Sequence, residues 1–172
     1  GVFVEDAAVV LKDVAVITRP GALSRQPETA SVEAALAAHR PLVHVRAPAT
    51  LDGGDVLVAG RRIYIGLSTR TSRAAIQQLT DQLARHGYEV IPLAFTGCLH
   101  LKSAVTRIAD DLMLVNPAWV EADAFTGYRA LTVDPAEPHA ANALALGGAV
   151  VHPLQHVRTR AHAVGQGEQA QE

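Results

Sequence analysis

Cysteine, lysine and aromatic side chains are scarce in this 172-residue chain, which holds one Cys, one Met, one Trp, three Tyr and three Phe. The single thiol, Cys98, excludes an internal disulfide and any metal site built from several cysteines. No charge of one sign dominates: 15 basic and 17 acidic residues are mixed along the chain and give a net charge of −2. Such a surface offers a polyanion no field to follow, so nucleic acid is not expected as a partner. No apolar run approaches the ~18 residues of a spanning helix, and no basic segment followed by an apolar run opens the chain. Neither a membrane partner nor a secretory signal is therefore expected, and the expected location is cytoplasmic. What the chain does have is a 49% hydrophobic content rich in Ala, Val, Ile and Leu, enough for a packed core of ordinary domain size. It opens at Gly1 inside an apolar run, as a fragment or a processed product would.

Four segments read as apolar, turn, apolar, the pattern of β-hairpins. Val9–Leu11 turns at Lys12-Asp13 into Val14–Ile17, and Val56–Val58 turns at Ala59-Gly60-Arg61 into Ile63–Ile65. Val105–Ile108 turns at Asp110-Asp111 into Leu112–Val115, and Ala143–Leu146 turns at Gly147-Gly148 into Ala149–Val151. Successive hairpins start 47, 49 and 38 residues apart. Between them the period shifts from 2 to 3.6: Val32, Ala35 and Leu36 share one helical stripe, and Ile76, Leu79 and Leu83 another. The second helix has Thr71 or Ser72 as a cap and His86-Gly87 at its stop. Short apolar strands follow at Leu42–Val45, Tyr88–Ile91 and Ala130–Val133, the last with no long helix before it. The expected fold is thus α/β: tandem hairpin–helix–strand modules around a central site, each covering its neighbour's apolar face.

In such a repeat, equivalent positions point toward one centre. Immediately before the hairpins sit Glu5-Asp6, Asp52 to Asp55, Leu99 to Lys102 and Ala140 to Asn142; after the first two sit Arg19 with Arg25, and Arg70. Carboxylates, a histidine and arginines on one end suit a small polar ligand. Glu5 and Asp6 end an apolar strand, where charge must meet a cation: a ligand guanidinium, whose fork of donors matches two carboxylates, or an internal bridge to Arg19 or Arg25. Gly53-Gly54 is followed by a strand, which argues against a phosphate loop; the glycines allow a tight bend that leaves Asp52 to orient another group, or form a plain turn. His100 has the near-neutral titration that suits proton transfer, and alternation places Cys98 on its face if the segment is extended; the plainer alternatives are a structural histidine and a buried, inert thiol. Arg25 and Arg70 suit a substrate carboxylate, against the alternative of solvated surface arginines. His152, His156 and His162 do not form a metal site, because Pro153 interrupts the helix needed to align the first two.

Taken together, Val2-Phe3-Val4-Glu5-Asp6, Ile17 to Ala22, Leu51-Asp52-Gly53-Gly54-Asp55-Val56, Gly66 to Thr71, Leu99-His100-Leu101-Lys102-Ser103 and Ala140-Ala141-Asn142 resemble the dimethylarginine dimethylaminohydrolase family, from Gly1 to about Arg160. The Leu-His-Leu-Lys run favours this branch over the arginine and agmatine deiminases of the same superfamily. The resemblance implies the pentein fold, a five-bladed α/β propeller with its site on the axis. It also implies hydrolysis of N-methylated arginine to citrulline and a methylamine with neither metal nor organic cofactor. It assigns Glu5 and Asp6 to the guanidinium, Arg25 and Arg70 to the amino-acid end, His100 to general acid–base work and Asp52 to a place beside that histidine.

The family also uses a cysteine near its C-terminus, which attacks the guanidinium carbon and yields a covalent thiouronium opened by water. No such cysteine follows Arg160, and residues 161–172 are polar and turn-rich. The expectation is an incomplete propeller domain over residues 1–160 with a disordered tail at 161–172, shortened at both ends, inactive alone and able to self-associate through open strand edges. Cys98 as a substitute nucleophile is a separate idea, disfavoured because it precedes the acid–base residue in the same segment. The rival readings are a non-catalytic module that binds arginine derivatives, a degenerate remnant, and an arginine- or agmatine-deiminating enzyme.

Overall fold

The computed structural model describes residues 4–146 and 149–160. The Gly147-Gly148 turn, His162 and the tail at 161–172 lie outside the described residues. The chain divides into two compact units, Gly1–Ala94 and Phe95–Glu172.

The first unit holds two copies of the repeat. Strands β1 (Ala8–Val10) and β2 (Ala15–Ile17) form an antiparallel hairpin; α1 (Glu28–Ala37) follows, and β3 (Leu42–His44) lies parallel to β2. The second copy repeats this order with β4 (Val56–Ala59), β5 (Arg62–Leu67), α2 (Arg73–Ala84) and β6 (Glu89–Ala94). Gly60, at φ +65°, turns the β4–β5 hairpin where a side chain would be strained. Helix α2 starts at Ser72, whose hydroxyl accepts from the Ala75 amide, and is followed by Gly87 at φ +74°. Its buried stripe of Ala75, Ile76, Leu79 and Leu83 packs in one core with Val16, Leu51, Ile63 and Ile65. The α1 stripe is shallower than its sequence suggests: Val32 and Leu36 are half-buried and Ala35 is exposed. Strand β6 runs three residues beyond the expected Ile91, in register with β5 as far as Leu67↔Ala94. Pro92 is tolerated there because, among the described residues, β6 is an edge strand of its sheet.

In the second unit, the short helix α3 (Leu101–Ala104) leads into β7 (Val105–Ala109), which pairs with β8 (Leu112–Val115); β9 (Arg129–Thr132) is parallel to β8. Only a three-residue 3-10 turn, Ala122–Ala124, occupies the place of the crossover helix, as its weak sequence signal suggests. The fourth hairpin pairs β10 (Leu144–Leu146) with β11 (Ala149–Val151). Among the described residues no third strand joins it, and Leu144, Leu146, Val150 and Val151 are exposed. Among the described residues no helix is long and apolar enough to cross a membrane.

Candidate functional site

The first unit gathers its chemistry on loops that precede or follow strands, and glycines allow those loops to touch. A methyl group at Gly53 would sit 1.9 Å from the Glu5 carbonyl oxygen, and one at Gly21 would sit 2.7 Å from that of Arg70. Gly53 and Gly21 are therefore contact points for backbone, beyond any role in turning the chain. Glu5 is exposed, whereas Asp6 is only 2% accessible. Burial of an ionised carboxylate requires partners. Asp6 has them: Oδ1 accepts from the Gly54 amide at 2.9 Å, and Oδ2 forms a short ion pair with Arg25 Nη1. The internal bridge weighed for the acidic pair is thus present, and its partner is Arg25; Arg19 instead donates to the Ala49 carbonyl.

Arg25 is also held by Glu28, at 3.0 Å from Nη2. Hydrogen bonds to Glu28 and then Asp6 raise the Arg25 guanidinium well above its ordinary range, while Arg25 holds the Glu28 carboxyl below its own. Asp52, 3% accessible, accepts the Gly21 amide on Oδ1 at 2.8 Å, so its side chain ties the first hairpin's exit to the second hairpin's entry. Its own amide donates to Thr71 Oγ1 at 3.2 Å. Arg70 is half-buried, and no carboxylate pairs with its guanidinium among the described residues. Of the four site candidates that the structure connects here, Asp6 and Arg25 form one pair, while Asp52 and the Arg70 backbone are joined through Gly21 and Thr71.

Sequence reasoning gave no site role to Asp55, Ser68 or Thr71, although Asp55 stood in the run from Asp52 to Asp55 and Thr71 was a cap candidate for α2. Asp55 is fully buried, and its Oδ2 accepts both the Ser68 hydroxyl at 2.7 Å and the Thr71 hydroxyl at 2.6 Å. The signal for them was present but unspecific: two hydroxyls three residues apart, on either side of Arg70, within a loop already suspected of holding a site residue.

In the second unit His100 is the half-buried N-cap residue of α3, and its carbonyl accepts from the Ser103 amide at 3.0 Å. The segment from Gly97 to His100 is bent, so the extended alternation that placed Cys98 and His100 on one face does not apply. Gly97 takes φ +75° beneath Trp119, whose Nε1 would lie 2.1 Å from any Cβ added there. Cys98 is half-buried, where a buried thiol was expected, and its Sγ donates to the His100 carbonyl at 3.2 Å. The rings of His152 and His156 meet edge to face at 5.5 Å, and His152 Nε2 lies 2.7 Å from the Ala140 carbonyl.

Similar proteins give this geometry its family. A dimethylarginine dimethylaminohydrolase of Streptomyces coelicolor is 50% identical over 114 residues, covering 66% of this chain and 44% of that protein. One from Pseudomonas aeruginosa is 31% identical over 161 residues, covering 92% of this chain and 63% of that protein. The chain therefore spans less than two thirds of these relatives. A solved structure of the Pseudomonas aeruginosa enzyme, in a mutant form complexed with citrulline, superposes with a TM-score of 0.89 over 96% of this chain and 66% of that one, at 30% identity. The α/β fold class expected from the repeats is thus the fold of a dimethylarginine dimethylaminohydrolase. The family model described as arginine deiminase matches residues 1–151, and the chain belongs to that family.

Proposed function

We propose that this chain forms the recognition part of a hydrolase acting on the guanidino C–N bond of N-methylated arginine, with citrulline and a methylamine as products. The observation that carries the proposal is the connected loop network of the first unit. It holds the buried carboxylates of Asp6 and Asp52 and a half-buried arginine, Arg70, that lacks a carboxylate partner among the described residues. An arginine derivative presents the complementary charges, a guanidinium at one end and a carboxylate at the other. Glu5 and Asp6 are assigned to the guanidinium. Each carboxylate oxygen has two lone pairs, so Asp6 can accept a ligand donor beside Gly54 and Arg25. Arg70 is assigned to the ligand carboxylate. Arg25 shares that end by resemblance, while its observed role is to hold Asp6 in place. By resemblance His100, within its Leu-His-Leu-Lys run, is assigned proton transfer, and Asp52 the role of the family's second catalytic acid.

Hydrolysis through a covalent thiouronium needs a thiolate, and the one thiol of this sequence donates to the His100 carbonyl. The chain on its own is therefore assigned binding without turnover. Self-association through the outer edge of β11, which no strand covers among the described residues, belongs to the same reading, since the other three hairpins each carry a parallel third strand.

Calorimetric titration with N-methyl-L-arginine tests the proposal, with citrulline release measured in parallel. The expected result is saturable heat, loss of most of that affinity in Arg70→Ala, and no citrulline. Absence of heat with the parent chain contradicts the binding role. Tighter binding of unmethylated arginine or agmatine favours the deiminase-like alternative. Citrulline release abolished in Cys98→Ala overturns the assignment of Cys98 as inert.

A further inference from the structure

Asp55 has no role in the reading above, although it is a fully buried carboxylate between two of the residues that the reading uses. Its chemistry gives it one. An ionised carboxylate accepts hydrogen bonds and donates none, so each hydroxyl that reaches it must spend its proton there. The Ser68 and Thr71 hydroxyls both do so, at 2.7 and 2.6 Å from Oδ2. Once those protons are committed, the hydroxyl lone pairs face the other way, toward backbone amides. Ser68 Oγ accepts from the Arg70 and Thr71 amides, both at 3.0 Å, and Thr71 Oγ1 accepts from the Asp52 amide at 3.2 Å. A hydroxyl with a freely rotating proton would satisfy these amides only part of the time.

We propose that Asp55 is a positioning residue: through Ser68 it fixes the backbone that carries Arg70, and through Thr71 the backbone that carries Asp52. The inference rests on the assignment of Arg70 to the ligand carboxylate and deepens it, because it names what sets the place of that guanidinium. Gly21 also packs closely against the Arg70 backbone. The Arg70 peptide is thus held both by contact and by a hydrogen bond whose polarity Asp55 dictates. Two arms leave one carboxylate, so they can be cut separately. The Ser68 arm serves discrimination for ligands that carry a carboxylate, and the Thr71 arm serves Asp52.

The test compares N-methyl-L-arginine with agmatine, a guanidinium ligand that lacks the carboxylate, in calorimetric titrations of the full 172-residue chain. Ser68→Ala is expected to weaken N-methyl-L-arginine about tenfold or more while agmatine changes less than about twofold, because only the carboxylate end loses its support. Ser68→Thr, which keeps the hydroxyl, is expected to restore the parent preference. Asp55→Ala is expected to lose the same preference and to speed hydrogen exchange at the amides of both Arg70 and Asp52; Thr71→Val speeds it at Asp52. The exchange of Leu79 and Leu83, in the α2 core, reports whether the fold has survived. If the parent binds both ligands and Ser68→Ala leaves their ratio unchanged, or weakens both equally, the positioning role is wrong while the binding role stands. Failure of Ser68→Thr to rescue, or unchanged exchange in Asp55→Ala, also overturns it. If the parent binds neither ligand, the functional reading itself has failed and the inference falls with it.

Discussion

Gly53→Ala is the substitution for which the structure makes the sharpest demand. A carbon and an oxygen rest near ~3.4 Å, and the added methyl would stand 1.9 Å from the Glu5 carbonyl oxygen, with the Glu5 carbonyl carbon at 2.9 Å and Asp6 Cα at 3.3 Å. All three neighbours are backbone, so no side chain can rotate away. The Glu5–Asp6 peptide must retreat by about 1.5 Å, and the 2.9 Å bond from the Gly54 amide to Asp6 Oδ1 cannot survive that shift. Overpacking of this kind costs about 1–3 kcal/mol, and a lost hydrogen bond to a buried charge about 1.5–3 kcal/mol. The stiffer unfolded chain returns about 0.4–1 kcal/mol, leaving a destabilisation of roughly 2–5 kcal/mol. Urea unfolding followed by circular dichroism should show a midpoint lower by about 1 M or more. Gly60→Ala is the control, because Gly60 has φ +65° and nothing within 4 Å of an added methyl, so its cost is conformational alone. Gly53 does not take a positive φ, so its cost comes from contact. If Gly53→Ala is no more destabilising than Gly60→Ala, the packing of the acidic pair against the glycine loop is not as described.

Two further outcomes follow from the second unit. Glu137 accepts from the Arg158 and Thr159 amides at 3.0 and 2.9 Å; burial alone would push its carboxyl up, but these bonds overcome it and hold the group down at about 2. A depressed carboxyl contributes stability that is complete above the ordinary glutamate value of 4.5 and fades as the pH falls through about 2. Unfolding midpoints measured across that window should fall in the parent more steeply than in Glu137→Gln, and parallel curves would contradict a stabilising role for the bonds from the Arg158 and Thr159 amides to Glu137. The edge of β11, open among the described residues, predicts a sedimentation coefficient that rises with concentration, and Val150→Lys, at an exposed position on that strand, should abolish the rise. A parent chain that stays monomeric at all concentrations would show the edge to be inert.

The strands and α2 were legible because their signals are periodic: hairpins at near-regular spacing, and a stripe from Ile76 to Leu83 with Ser72 and Gly87 at its ends. Helix α3, with four residues, is too short to display a period and depends on the Ser103 amide meeting the His100 carbonyl. The bend before it was hidden because Gly97, at φ +75°, packs against Trp119, more than twenty residues away in sequence. The site was legible as a set of residue types and less so as a set of bonds. Asp6 and Arg25 are 19 residues apart, and either a ligand or a bridge satisfied the same charge rule. Asp55 was visible only as one member of the run from Asp52 to Asp55, because hydroxyls 13 and 16 residues downstream carry no spacing rule that marks them as its donors. Burial alone singles it out, and burial of one carboxylate is a property of the folded chain.

If the loops of the first unit bind an arginine derivative end to end, a crystal structure of this chain with N-methyl-L-arginine should place the guanidinium against the carboxylates of Glu5 and Asp6 and the α-carboxylate against Arg70. Ligand density elsewhere, or a carboxylate that leaves Arg70 without a partner, would contradict it.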